Sequence, residues 1–330
     1  MSLPEPAVVP SHNRLLPLAW DREPTRSARL ALAVGIGALA SLLVWLSYHG
    51  HLDAVSDWDQ CWLAGRALLH GRSPYGAVNG DTSPWPLIYP LPAVLVSLPF
   101  ALVPLSVGRA LFAGVSSGLL AYALSTRWVG LLPFISGAYA WALFAVQWVP
   151  LLVAAVLLPW LSFLLVVKPT TGVALGVGWP SRWAVIGAVV LCAVSFIVDP
   201  GWLLQWREGM GAKIVYHIPP VTRPFGWLLL LALLRWRQPG ARFLVASALI
   251  PQAAMPSDLL ALLLIPRTFM ERVIFVGSTQ LLALYGLTDL HTSSPGDFAE
   301  KLWPATLALG YLPALVMVLR RTDLPSRDSG

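Results

Sequence analysis

The sequence predicts an all-α, polytopic membrane protein. Hydrophobic residues fill 57% of its 330 positions and charged residues 12%, where a soluble domain carries roughly a quarter charged. Mean hydropathy is +0.69. Between polar intervals lie long apolar runs, and a helix needs about 20 such residues to cross a hydrocarbon core of about 30 Å. These runs are too long and continuous for barrel strands, so helices satisfy the backbone.

The charge pattern agrees. The net charge of +6 comes from basic residues at segment ends rather than in a patch, which indicates membrane topology and no nucleic-acid partner. Cys61 and Cys192 build no disulfide framework and have no zinc-ligand spacing. The 16 Trp and 29 Pro cluster at segment edges, where aromatic belts and helix breaks belong.

Residues 1–29, with Arg14, Arg22, Arg26 and Arg29 among several prolines, read as a disordered cytoplasmic tail. The first span, Leu30 to Tyr48, then acts as an uncleaved insertion signal. Residues 49–86 form the first extracytoplasmic loop. Within it Ser56 and Asp59 have the spacing of a capping box, predicting a helix to about His70 that Gly71 stops. Trp58, Cys61, Trp62, Gly65 and Leu69 fall on one side and Asp59, Arg66 and His70 on another, the pattern of an interfacial helix. Ile88-Tyr89-Pro90-Leu91-Pro92 returns the chain into the second span, about 87–103.

A turn near Pro104 to Arg109 leads into a third span ending about Ser125. From 129 to 167 the chain is apolar, broken at Pro133, Gln147, Pro150 and Pro159, with room for two or three spans or half-spans. Lys168-Pro169 ends that run. A short apolar piece to Trp179 and a span at 183–198 precede the second polar loop, 199–223, which carries Trp202, Trp206, Arg207, His217 and Arg223 and is placed on the same face as the first. Further spans are expected near 224–234, 243–255, 258–266, 272–288 and 302–319. Arg320-Arg321 opens a cytoplasmic tail, 320–330, so both termini are cytoplasmic and the spans of this domain, 30–319, number about ten or twelve.

Some residues stand out chemically. Lys168 lies amid apolar sequence, where a cation costs at least about 2.5–3.5 kcal/mol unless it meets water, protein or a lipid phosphate; it marks a site or snorkels at a span edge. Asp57 and Asp59 are catalytic candidates or helix-capping acids. Gln147 bonds a substrate or bridges helices. Asp258, after Pro256-Ser257, doubles as a helix cap. Tyr75, Tyr89 and Trp85 stack on a ligand, line a lipid groove or belong to the membrane belt. His217 and Arg223 fit an interfacial loop. Gly35-Ile36-Gly37 reads as close helix packing. No Gly-rich phosphate loop, metal-ligand cluster or nucleophile triad is present.

An acid early in the first loop, a helix rich in Ala and Leu, Gly71-x-x-Pro74-Tyr75, then Tyr89-Pro90-x-Pro92, resembles glycosyltransferase family 87. Gln147, Lys168-Pro169 and Pro256-Ser257-Asp258 extend the likeness over roughly residues 30–270. Those are polyprenol-phosphate-mannose-dependent mannosyltransferases of the GT-C superfamily. The resemblance implies a GT-C-like fold and transfer of a hexose, mannose in that family, from a polyprenyl-phosphate donor to a lipid or glycan hydroxyl, on the extracytoplasmic face of the plasma (inner) membrane. It implies no cofactor beyond the lipid-phosphate co-substrate. Asp57, with Asp59 as second candidate, would be the base; Arg66, Lys168 and Arg223 would hold the donor phosphate; Tyr75, Tyr89, Gln147, His217 and Asp258 would bind substrate. The chain departs from the family in having Val146 where glycine usually precedes Gln147, and no His adjacent to Asp258. The alternative is a non-catalytic subunit or lipid-binding scaffold with membrane-complex partners. A transporter is weakened by the absence of recognisable repeats.

Overall fold

The computed structural model describes residues 22–50, 54–79, 87–213, 217–253, 255–288 and 295–321. Most of the expected amino-terminal tail, the carboxy-terminal tail beyond Arg321, and Trp85 lie outside the described residues. Among those described there is no strand; one isolated antiparallel bridge joins Ile218 and Gln252.

Helix α1 (Arg26–Tyr48) starts earlier than hydropathy alone indicates, because the Thr25 hydroxyl accepts from the Ala28 N–H and caps it. Arg29 is thereby helical, donating to the Tyr122 carbonyl at 2.8 Å. The first loop then carries α2 (Asp59–Leu69) and α3 (Pro74–Asn79), followed by α4 (Leu91–Ala101) and α5 (Leu105–Leu124). As expected, α2 stops at Gly71, whose φ of +67° is cheap only for glycine. Only half the capping box forms. The Asp59 carboxylate accepts from the Ser56 N–H at 2.7 Å, but the Ser56 hydroxyl also donates to Asp59 instead of accepting from the backbone.

The long apolar interval divides into a 3-10 segment at 128–135, α6 (Gly137–Phe144), α7 (Val149–Leu157), a 3-10 segment at 159–167 and α8 (Pro169–Gly178). Then come α9 (Arg182–Val198), α10 (Trp202–Lys213), a 3-10 segment at 226–235, α11 (Pro239–Leu249), another at 256–264, α12 (Phe269–Thr288), α13 (Pro295–Thr306), a π turn at 307–311 and α14 (Leu312–Leu319). Proline sits in the first turn of α7, α8 and α11, where its missing N–H costs nothing; before α8 and α11 the preceding residue, Lys168 or Gln238, is held out of helical geometry.

This is the architecture of an all-α membrane protein. Among the described residues three helical stretches are long and apolar enough to cross a bilayer, 26–48, 105–124 and 296–319. Two bent pairs, α6 with α7 at 118° and α9 with α10 at 100°, make it up to five if each pair is one span. That is fewer than the ten or twelve expected from hydropathy, because proline and glycine break the apolar runs into pieces too short to span singly.

Packing is tightest between α1 and α5. A Cβ on Gly37 would meet the Gly114 carbonyl at 2.8 Å, and one on Gly114 would lie 1.9 Å from Ser41 Oγ. Small residues let the backbones approach, and Ser41 adds a bond to the Ala110 carbonyl at 2.9 Å. The outer faces of α1 and α9 are apolar and bare, with Val34 71% and Ile197 81% exposed, as suits contact with lipid chains. Helix α2 corrects the expectation of an interfacial helix. Trp58 is fully buried and stacked on Phe112 at 4.9 Å, and Asp59, Cys61 and Gly65 are buried with it. Helix α2 packs against α4 rather than lying on a membrane surface.

Candidate functional site

A cavity of about 1050 Å³ opens where four interruptions of the helical chain meet. The stretch between α1 and α4 supplies Asp57, Gln60 and Tyr89; the bend between α6 and α7 supplies Gln147; the join before α8 supplies Lys168; and the start of the 256–264 segment supplies Ser257 and Asp258. Helix α10 forms a further wall with Leu203, Leu204, Trp206, Arg207 and Met210, and His217 follows it. Walls that are mostly apolar with a few convergent polar groups are the usual make-up of a ligand site.

Each polar group is held there by a local cause. At the α6–α7 bend Val146 takes φ +51°, a left-handed conformation that suits glycine, the residue to which the resemblance leads at this position. The chain thereby turns and Gln147 enters the cavity. Lys168 is delivered by Pro169, which begins α8 and excludes helical geometry from the residue before it.

The side chains form one continuous network. Tyr89 donates its hydroxyl proton to Asp57 Oδ2. Gln147 Nε2 donates to the same oxygen at 2.9 Å, while its Oε1 accepts from Lys168 Nζ at 3.1 Å. Lys168 also bonds Asp258 Oδ1 at 3.0 Å. Gln60 Nε2 donates to the Asp57 carbonyl at 2.9 Å and its Oε1 accepts from the Ile88 N–H at 2.7 Å. Trp206 Nε1 closes the chain on the Ile88 carbonyl at 2.9 Å, docking α10 onto the first loop.

Electrostatics follow from this enclosure. Burial pushes the Asp57 carboxyl above the ordinary aspartate range, against the opposing pull of Lys168 and the bonds from Tyr89 and Gln147. His217 is pushed down to about 4, by burial first and then by Lys168, so its imidazole is neutral at neutral pH. The charge of Asp258 opposes that shift.

The cavity therefore gathers Asp57, Lys168, Tyr89, Gln147, His217 and Asp258 from the sequence-predicted set. Four other expected site residues lie elsewhere. Asp59 turns away to the opposite side of its loop and pairs with Arg109, both side chains 6% exposed. Arg66 lies along α2 over the Trp62 ring, 5.6 Å from its centre, with Nη1 at 3.4 Å from the Ala101 carbonyl. Arg223 is buried over Trp303 at 5.5 Å and reaches the Ala299 carbonyl. Tyr75 is buried and donates to the Tyr89 carbonyl at 3.3 Å. In each case packing across elements, which local sequence does not report, decides the direction.

Residues that sequence reasoning passed over are Gln60, Arg207 and Arg109. The first two carried a signal: Gln60 stands one turn after Asp57, and Leu203, Arg207 and Met210 share a face of α10 at helical spacing. Among the described residues no group of three or more His, Cys, Asp or Glu side chains is placed to hold a metal ion. Comparison with protein-family models, curated proteins and solved structures finds no match to the chain.

Proposed function

We propose that the chain is a membrane glycosyltransferase that moves a hexose, mannose by its resemblance to family 87, from a polyprenyl-phosphate donor to the hydroxyl of a lipid or glycan acceptor. The observation that carries this reading is that the Asp57 carboxylate and the Lys168 ammonium face one mostly apolar cavity, joined through Gln147. A carboxylate and a cation on either side of a reacting sugar are what an inverting transfer from a phosphodiester requires.

In this reading the acceptor hydroxyl loses its proton to Asp57 as its oxygen attacks the anomeric carbon. The bond from that carbon to the phosphate oxygen breaks with its electron pair, and the donor leaves as a polyprenyl phosphomonoester. Lys168, with Arg207 across the cavity, neutralises the added negative charge. Asp258 and Gln147 hold the ammonium in place, and the apolar wall of α10 receives the isoprenoid chain. Burial that raises the Asp57 pKa serves a base, because proton uptake is favoured when base and working pH lie closer. The active face is extracytoplasmic, both termini are cytoplasmic, and the membrane is the plasma membrane.

The rival reading is a lipid-binding, non-catalytic membrane subunit, and it draws on the closure of the network, in which Lys168 already has Asp258 as counter-ion. The deciding experiment uses the full chain in nanodiscs with radiolabelled polyprenyl-phosphate mannose and a membrane-lipid extract as acceptor. Transfer by the wild type, falling about 10²–10⁴-fold in Asp57→Asn, supports the transferase. Wild-type transfer by Asp57→Asn overturns it, and polyprenyl-phosphate binding with no transfer favours the subunit.

A further inference from the structure

We propose that Asp59 and Arg109 are a positioning pair that sets where the Asp57 carboxylate points. The proposal rests on the transferase reading, since it gives these residues a role through Asp57 and none in contact with substrate.

The segment 54–59 is gripped on both sides of Asp57. Arg109, from the first turns of α5, presents two edges of its guanidinium to Asp59: Nε reaches Oδ1 at 2.7 Å and Nη2 contacts Oδ2. Nη2 also donates to the Ala54 carbonyl at 2.9 Å. Asp59 passes the hold back to Ser56 through its N–H and its hydroxyl. The guanidinium lies over the Tyr48 ring at 4.2 Å, and the Tyr48 hydroxyl donates to the Phe144 carbonyl at 2.7 Å. The next carbonyl in the chain, that of Ala145, accepts from the Asp57 N–H at 3.2 Å. Residues 54, 56, 57 and 59 are thus all fastened, and the side chain of Asp57 leaves the clamp on the cavity side.

A planar, bidentate guanidinium fixes a carboxylate in direction as well as distance, which an ammonium does not. Placing a reacting group wrongly by about 1 Å costs on the order of a hundredfold in rate. A buried, fully bonded ion pair is a poor device for stability alone, because desolvation offsets most of its attraction. Its use in fixing one arrangement of the Asp57 segment accounts for what this geometry contains.

The test compares wild type, Arg109→Lys and Asp57→Asn in nanodiscs with polyprenyl-phosphate mannose, measuring kcat, KM for the donor and the pH profile. Arg109→Lys keeps the charge and loses the fork. The expected result is a kcat about ten- to hundredfold lower, donor KM within about twofold, since donor contacts are uniform binding that this pair does not touch, and an acid limb moved to higher pH. The limb moves because a misdirected Asp57 leaves the Tyr89 and Gln147 donors that stabilise its charge. Lys168, Asp258 and Tyr89, the titratable groups that act most on Asp57, are unaltered in this variant, as are Tyr48 and Cys61, which lie within reach of its charge. A loss of active fraction would lower kcat without moving the limb. Should Arg109→Lys fail to fold, the charge-free double variant Asp59→Asn/Arg109→Gln carries the same expectation. A wild-type kcat and pH profile in either variant overturns the positioning role. Full activity in Asp57→Asn instead overturns the transferase reading itself.

Discussion

The amide of Gln147 stands between Asp57 and Lys168, donating to the carboxylate at 2.9 Å and accepting from the ammonium at 3.1 Å. It links the two opposite charges of the cavity. Gln147→Leu removes both bonds at similar volume. A hydrogen bond to a charged group contributes about 1.5–3 kcal/mol, so turnover should drop about ten- to hundredfold, with the acid limb of the pH profile moving up. Steady-state kinetics across pH checks this, and an unchanged profile would remove Gln147 from the site.

The Lys168–Asp258 pair is mostly shielded, with side chains 15% and 8% exposed. Lys168→Met leaves Asp258 without its counter-ion and should destabilise the fold by about 3–5 kcal/mol. Adding Asp258→Leu removes the orphan charge and should restore much of that loss while leaving transfer abolished. Thermal unfolding of the singles and the double in one detergent closes the cycle. Additive losses would show that the two charges do not interact.

Two buried groups give opposite slopes of stability with pH. Asp57 is held above its ordinary 3.8 in the folded state, so its contribution is complete below that value and is lost as pH rises through the raised pKa. Asp57→Asn, which mimics the protonated form, should therefore unfold at a higher temperature than wild type at neutral pH and show no such gain in strong acid. His217 is depressed from 6.5 to about 4; its contribution is present above about 6.5 and is lost as pH falls towards 4. His217→Gln should flatten the stability curve in that window. Unfolding temperatures of both variants that track wild type at every pH would refute these assignments.

Close approach of α1 and α5 predicts a contrast between neighbouring glycines. Gly114→Ala drives a methyl against Ser41 and the Gly37 carbonyl, whereas a Cβ on Gly35 meets nothing within 4 Å. Overpacking costs about 1–3 kcal/mol, so Gly114→Ala should lower the unfolding temperature and Gly35→Ala should leave it level or raise it. Equal effects would mean that the helices are not in contact through this face.

Much of this arrangement was legible from sequence because membrane chemistry makes polar groups conspicuous. Lys168, Gln147 and Asp258 each interrupt an apolar run, and each reaches the cavity. Asp57 was legible through its loop motif. The pairing of Asp59 is not legible, since its partner lies 50 positions away, on another helix. Arg66 and Arg223 show the converse error: charge near a polar loop gives no direction, and both guanidiniums lie over tryptophan rings outside the cavity. Hydropathy does not tell a spanning helix from two half-length pieces meeting at a proline. Of the two glycines in Gly35-Ile36-Gly37, whose spacing predicts close packing, only Gly37 is at the contact.

The glycine contact between α1 and α5 also works as a ruler. It fixes one helix against the other a turn or so from Arg109, so the distance from Gly114 back to Arg109 decides where the guanidinium emerges. One residue inserted between them would rotate Arg109 by about 100° and carry it about 1.5 Å along the axis, out of reach of Asp59. Outward positions of the two helices are open to almost any apolar replacement, but the count of residues between these points is not free to change. On the transferase reading, insertions and deletions that leave transfer intact should therefore fall outside the stretch from Gly108 to Gly118, and a functional relative with a different spacing there would show that the ruler is not used.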